Sequence, residues 1–314
     1  MAIYTRLNKE EINLMAANYG LEVERFSPMG FGQANSNYAL FCKNDEKYLL
    51  NIAEEDTPEE LKITSRIMDW LVDHGVATPR SIPSELGEYI LLYKNKAYML
   101  RSFMEGKVEF DLSEGMLNVV GEQMAALHKV PVPDFLSKTT IYDHPIITDA
   151  IGKDLEPEYE KWLKDRLEML KSRIQPNLPK GFIHGDLFAD NIIWDSRSFE
   201  GFIDLENACN YFLIYDLGMA IIGLCSKNNE LDLEKVSALL DGYQFYRELE
   251  PEEKNLLQSF TELAAVHTSN WRYWKFNFHN PNPAKSKTHL DMQALSFFIK
   301  SIPKDTFINA INQE

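Results

Sequence analysis

The sequence predicts an α+β protein of two lobes, a small antiparallel β-sheet lobe followed by a larger, mainly α-helical one. Three observations lead there. The first hundred residues carry short apolar runs punctuated by turn residues, with one helical pattern among them. After Glu105-Gly106 the apolar spacing becomes helical for most of the remaining chain. The length, 314 residues, suits two lobes with cores of their own, since single cores stop growing at roughly 250–300 residues. The division is expected at residues 102–106, giving a first lobe over 1–103 and a second over 104–314.

In chain order, residues 8–19 read as helix. A strand near 26–29 leads into a glycine-containing turn at 30–36. Strands over 37–43 and 47–52 follow, joined through Asn44-Asp45-Glu46, a favourable hairpin connection. Thr57 is an N-cap, with Pro58 at the first helical position and Glu60 closing a capping box, so a helix should run to His74, before Gly75. Strands over 88–93 and 97–103 meet around Lys94-Asn95-Lys96, making about five strands with one inserted helix. In the second lobe Asp111 is expected to cap a helix over 112–129, with Glu114 as box partner. Further helices are expected over 156–174, 213–225, 232–245, 251–277 and 289–300. Residues 181–208 interrupt them with short strands and a tight turn at Asp195-Ser196-Arg197.

Composition removes several functions. Forty-eight acidic residues against 32 Lys and Arg give a net charge of -16. A nucleic-acid binder needs a basic face to displace counterions from phosphates, and an anionic membrane attracts clustered cations; neither is expected as a partner. Cys42, Cys209 and Cys225 form no C-x-x-C pair, so no zinc site or disulfide framework is indicated. With no signal-peptide pattern at the first residues and no long apolar run, the expected setting is the reducing cytoplasm. Monomer and homodimer both remain open.

The chemistry concentrates in His-Gly-Asp-Leu-Phe-Ala-Asp-Asn, residues 184–191. Asp186 precedes Asn191 by five residues, the spacing of the kinase catalytic loop H-R-D-L-x-x-x-N, with Gly185 in the Arg position. A second acid, Asp204, follows 18 residues after Asp186, across the predicted strand–turn–strand. Phosphoryl transfer needs an alcohol held in line with the γ-phosphate and cations that offset the phosphate charge. Asp186 suits the base that accepts the hydroxyl proton. Asp204 and the Asn191 amide oxygen suit Mg²⁺, a hard cation that takes oxygen ligands. His184 reads as structuring the loop. Asp216, in Tyr-Asp-Leu-Gly at the start of an apolar helix, reads as a positioner of it. Glu206 is a possible aid to the metal or a solvated or helix-capping acid.

These motifs resemble the aminoglycoside phosphotransferase and choline kinase superfamily, and within it the bacterial homoserine kinases of the ThrB type. Residues 33–38 resemble E-N-S-N-[YF], residues 184–191 resemble H-[AG]-D-L-F-x-D-N, residues 202–221 resemble I-D-F-x-x-A-C with the following Y-D-L-A helix, and residues 270–276 resemble a late R-F-W segment. The resemblance implies a bilobal protein-kinase-like fold, ATP and Mg²⁺ as cofactors, and a small amino alcohol as substrate. It assigns Gly30, Gly32 and Ser36 to a turn over the ATP phosphates, and Ser102 and Met104 to a hinge that meets adenine. Two departures stand out. Asn51 occupies the place of the usual strand-three Lys, as this subfamily implies; Lys47, Lys62 and Arg66 are the candidates to compensate. Leu205-Glu206 replaces the usual aromatic-containing pair after the metal-binding Asp.

The implied reaction is phosphorylation of L-homoserine on its hydroxyl, a step of threonine biosynthesis. Its carboxylate calls for a guanidinium, and Arg272 is the candidate, with Asn35 or Asn37 as further positioners. Choline or ethanolamine remains possible through the aromatic cluster Trp271, Tyr273, Trp274, Phe276 and Phe278. Hydroxylysine is another possible acceptor, as is an aminoglycoside in an acidic groove. A non-catalytic nucleotide-binding module is the reading of a different class, motivated by the missing Lys.

Overall fold

The computed structural model describes residues 5–29, 35–174 and 177–312. Two compact units result, one of residues 1–107 with 200–206, the other of 108–199 with 207–314. Residues 200–206, placed by chain order with the helical lobe, cluster with the first unit: the Phe202 N–H donates to Ala77 O at 2.9 Å.

The first unit opens with α1 (Lys9–Ala17), capped by Asn8 in a reciprocal capping box with Glu11. Strands β1 (Val23–Met29), β2 (Asn35–Cys42) and β3 (Lys47–Ala53) follow, then α2 (Pro58–Asp73), β4 (Ser81–Ile82), β5 (Leu91–Tyr93) and β6 (Lys96–Ser102). The sheet is antiparallel in order β1-β2-β3-β6-β4, with β5 also on β6. Thr57, Pro58 and Glu60 open α2 as the motif requires. The hairpin residues Asp45, Lys94 and Asn95 take positive φ. Two details differ from the sequence reading. Residues 88–90 are outside β5, and the short β4 carries no alternating run that would announce it.

Side chains alternate across the sheet and give it two unlike faces. Tyr38, Leu40, Leu50, Ile52, Tyr98 and Leu100 pack with Ile12, Met15 and Ala16 of α1 as one apolar core. Burying each of the leucines fully contributes about 1.5–3 kcal/mol. The opposite face carries Asn35, Asn37, Asn51 and Arg101, because Asn37 pairs with Asn51, Asn51 with Met99, and Leu49 with Arg101.

The second unit contains α3 (Glu114–His128), a one-turn α4 (Pro145–Thr148) and α5 (Pro157–Lys171). The strands β7 (Lys180–Ile183) and β8 (Ile192–Asp195) follow, then a turn with Ser196 at positive φ and β9 (Ser198–Phe202), whose residues from 200 on belong to the first unit. After β10 (Cys209–Phe212) come α6 (Leu213–Leu224), the small hairpin β11 (Ser226–Lys227) and β12 (Glu230–Leu231), α7 (Leu233–Tyr246), α8 (Pro251–Trp274), α9 (His289–Ser301) and α10 (Lys304–Asn312). α3 and α7 pack so closely that a Cβ at Gly242 would lie 1.8 Å from the Asn118 carbonyl. The long α8 packs on α6 and α9.

The cap of α3 is Ser113, not Asp111. Ser113 Oγ accepts from the Met116 N–H, and Glu114 is the first helical residue, so it cannot close a box. Asp111 pairs with Lys235 and Lys227 instead. The segment expected as one helix over 251–277 becomes π-helical over Lys275–His279. α10 was not expected from the sequence. All three cysteines are buried and free. Among the described residues no helix is long and apolar enough to cross a membrane.

Candidate active site

In the helical unit β7 delivers His184, Gly185 and Asp186 at its end, held by its pairing with β10, where Ile183 faces Cys209. Gly185 has φ +81°, and a Cβ there would sit 2.5 Å from the Asn207 carbonyl. This position requires glycine, which explains why the Arg of the kinase pattern is absent.

Asp216, in the first turn of α6, is fully buried and gathers this loop. It accepts from the His184 N–H at 3.0 Å, the Gly185 N–H at 2.8 Å and His128 Nε2 at 3.0 Å. His128 Nδ1 in turn meets the Tyr243 hydroxyl at 2.8 Å. Burial acts to raise the Asp216 pKa. The His128 hydrogen bond and charge, the charge of His184 and the Gly185 N–H outweigh it and hold the carboxyl below its usual value. His184 is buried beneath the loop, its Nδ1 accepting from the Asp186 N–H at 3.4 Å.

Asp186 is half-exposed. The Tyr142 hydroxyl approaches its Oδ1 at 3.3 Å, and Asn207 Nδ2 its Oδ2 at 3.4 Å. Burial, then the nearby Asp186 charge, raises the Tyr142 pKa far above the usual phenol value, so the hydroxyl stays a donor. Asn191 Nδ2 donates to the Asp186 carbonyl at 2.7 Å, which leaves the amide oxygen as the atom to offer a cation. Arg272 is half-buried near the end of α8. It donates to Thr288 O at 3.2 Å, and the charges of Asp291, Asp186 and Asp190 act on it. Close by in α8, Asn270 is buried, and neither amide atom has a hydrogen-bond partner among the described residues. His267 is buried and stacks on the Tyr142 ring at 5.5 Å; burial lowers its pKa to about 4.

The β-sheet unit holds a second polar group. Asn35 Nδ2 donates to Glu206 Oε1 at 2.7 Å, and Asn51 Nδ2 to Asn37 Oδ1 at 2.8 Å. The Oδ1 atoms of Asn35 and Asn51 are buried and have no hydrogen-bond partner among the described residues. Asp204 and Glu206 are exposed, Asp204 at φ +63°, a strained backbone of the kind that clusters at functional sites. This donor set is all oxygen, which fits a hard divalent cation that completes its shell with phosphate and water. Among the described residues no group of three or more His, Cys, Asp or Glu forms a protein-only metal cage.

Thus Asp186, Asn191, His184, Asp216 and Arg272 come together in the helical unit, while Asn35, Asn37 and Asp204 lie in the sheet unit. Ser36 lies on the sheet face opposite Asn35 and Asn37, its hydroxyl engaged with Thr5 and Glu54. Ser102 is tied to Arg80, its N–H donating to Arg80 O at 2.8 Å and its Oγ accepting from the Arg80 N–H. Met104 falls in the sheet unit. Gly30 and Gly32 lie outside the described residues. Sequence reasoning missed His128, Tyr142, Asn207 and Arg101. Asn207 alone had a local signal, the Asn-Ala-Cys that follows Glu206; the others are distant in sequence and met only by folding.

The model of the phosphotransferase enzyme family, APH, matches residues 25–249. A homoserine kinase of Methylobacillus flagellatus is 28% identical over 280 residues, covering 87% of this chain and 86% of its own. One from Rhizobium rhizogenes is 26% identical over 274 residues, covering 85% of each. Among solved structures, an amicoumacin kinase in complex with AMP-PNP and Ca²⁺ superposes at TM-score 0.73, with 14% identity and 95% of both chains covered. A microcompartment-associated aminopropanol kinase superposes at TM-score 0.73, with 17% identity over 95% of this chain and 99% of its own. The fold is therefore the bilobal α+β fold of these kinases.

Proposed function

The chain belongs to the phosphotransferase enzyme family, and we propose that it transfers the ATP γ-phosphate to the hydroxyl of L-homoserine, giving O-phospho-L-homoserine. The observation that carries this reading is Arg272, a half-buried guanidinium within electrostatic reach of Asp186. A cation beside the base attracts a carboxylate and repels choline or a polycationic aminoglycoside. The likeness to curated homoserine kinases over most of the chain supports the same choice.

In this mechanism Asp186 accepts the hydroxyl proton as the oxygen attacks the γ-phosphorus and the bond from that phosphorus to the bridging oxygen breaks, releasing ADP; Tyr142 and Asn207 orient the two carboxylate oxygens of Asp186. Asp216 holds the backbone on which Asp186 stands. Arg272 binds the substrate carboxylate through the N–H groups not given to Thr288. Asp204 and the Asn191 amide oxygen would each offer Mg²⁺ an oxygen ligand, and the ion's charge would offset that of the phosphate. An intact base and its supports argue against a non-catalytic module.

The test is ADP release with Mg²⁺ over a panel of homoserine, choline, ethanolamine, hydroxylysine, methylthioribose and an aminoglycoside. Homoserine should show the highest kcat/KM. Preference for another alcohol reassigns the substrate, and nucleotide binding without turnover on any of them overturns the kinase reading.

A further inference from the structure

The place of the strand-three Lys is taken by Asn51, whose amide bonds Asn37 and brings no charge. The candidates named from sequence are elsewhere. Lys62 and Arg66 are exposed on α2, four residues apart on one helix face. Lys47 shares the Asn51 face but lies four residues back along β3, where it pairs with Glu105 at 2.5 Å. Arg25, also on that face, lies over the Phe41 ring at 3.6 Å. Lys96 is on the opposite face, paired with Glu54.

Arg101 is different. On β6 it is two residues from Met99, the cross-strand partner of Asn51, so it is the diagonal neighbour of Asn51 on the same face. Diagonal positions are about 7–8 Å apart, within reach of a long side chain. Its Nε is buried and has no acceptor among the described residues. Among the described residues its guanidinium makes only a weak contact, NH1 donating to Met68 Sδ at 3.9 Å. The charges of Glu206 and Asp204 act on it from residues 204–206. A guanidinium with a buried, unused donor beside a metal-binding acid is set for an acceptor that arrives from outside, and phosphate oxygens match its fork.

We propose that Arg101 supplies the cation that Asn51 lacks and binds the phosphates of the nucleotide. The charge has moved from one strand to the next, with the site on the same sheet face. The proposal rests on nucleotide use and not on the identity of the alcohol, so nucleotide binding tests it whether or not homoserine is phosphorylated.

Titration calorimetry of Arg101→Met with ADP and with adenosine separates the outcomes. Loss of one charge-assisted contact should weaken ADP by about 10- to 100-fold, with adenosine unchanged. In Arg101→Met, Asn51→Lys should restore much of the ADP affinity, because the ammonium re-enters from β3. Parental ADP affinity in Arg101→Met, or equal losses of ADP and adenosine, overturns the proposal; the second outcome would mean Arg101 only supports the fold. If Arg101→Met does not fold, Arg101→Lys serves. It should lose ADP several-fold with adenosine unchanged, and parental ADP affinity there overturns the proposal too.

Discussion

Replacing Asp216 by Ala and by Asn separates how many hydrogen bonds the 184–191 loop needs from how it is charged. The carboxylate accepts three: the His184 N–H and His128 Nε2 on Oδ2, and the Gly185 N–H on Oδ1. Alanine leaves all three donors buried without that acceptor. At about 1–3 kcal/mol per unsatisfied group the cost is roughly 3–9 kcal/mol. Asparagine keeps one acceptor atom. Turned toward His184 and His128 it serves two donors, and its NH₂ then opposes the Gly185 N–H, at a cost of about 1–3 kcal/mol. Against a total stability of about 5–15 kcal/mol the first variant is severe and the second mild. Urea unfolding followed by the helical circular-dichroism signal measures both. The Gly185 N–H released in the Asn variant adjoins Asp186, and a shift of about 1 Å there costs on the order of 100-fold in turnover. The pH dependence has a definite sign. Because the folded Asp216 pKa is depressed, its contribution is complete above the usual Asp range, about 4, and is lost as pH falls through the lower folded value. The parent and the Asn variant should therefore converge in acid. Equal unfolding midpoints for the Ala and Asn variants, or a gap that persists in acid, would refute the hub argument.

Other outcomes follow from the same geometry. Asp186→Asn should bind ATP as the parent does while turnover falls about 10²- to 10⁴-fold; Tyr142→Phe, which removes one hydrogen bond to the carboxylate, should cost much less, and the reverse order removes Asp186 as the base. Asp204→Ala should weaken nucleotide binding in the presence of Mg²⁺ and leave metal-free binding unchanged, as calorimetry with and without chelator would read. Arg272→Ala should raise KM for homoserine at least tenfold, given about 1.5–3 kcal/mol for a hydrogen bond to a charged group, with KM for ATP little moved. Equal rises in both would point to damage in α8 instead.

Local signals carried the parts of this protein that local physics decides. Thr57, Pro58 and Glu60 specify a helix start because the capping contacts lie within one turn. The 184–191 loop is legible because Asp186 and Asn191 interact over five residues, with Asn191 bonding the very backbone that carries Asp186. At Asp111 and Ser113, two competing caps lie two residues apart, and it is Ser113 that caps α3. Asp111 was drawn off by Lys235, more than a hundred residues away. The support of Asp216 by His128 is of the same kind, a pairing across 88 residues.

The abundance of acids first indicated little beyond solubility and the exclusion of nucleic acid. By itself the sequence determined the α+β division, the kinase-type loop, the family, and the absence of a Lys at position 51. Those depend on residue type and short spacing. Only the tertiary structure decided what surrounds that absence. Strand register set Arg101 diagonal to Asn51, and chain order does not specify register between β3 and β6, whose pairing spans some fifty residues. It likewise brought Tyr142 and Asn207 onto the carboxylate of Asp186 and turned Ser36 away from the polar face. These are contacts between distant segments, chosen by burial of the apolar face and by the alternation of side chains it enforces.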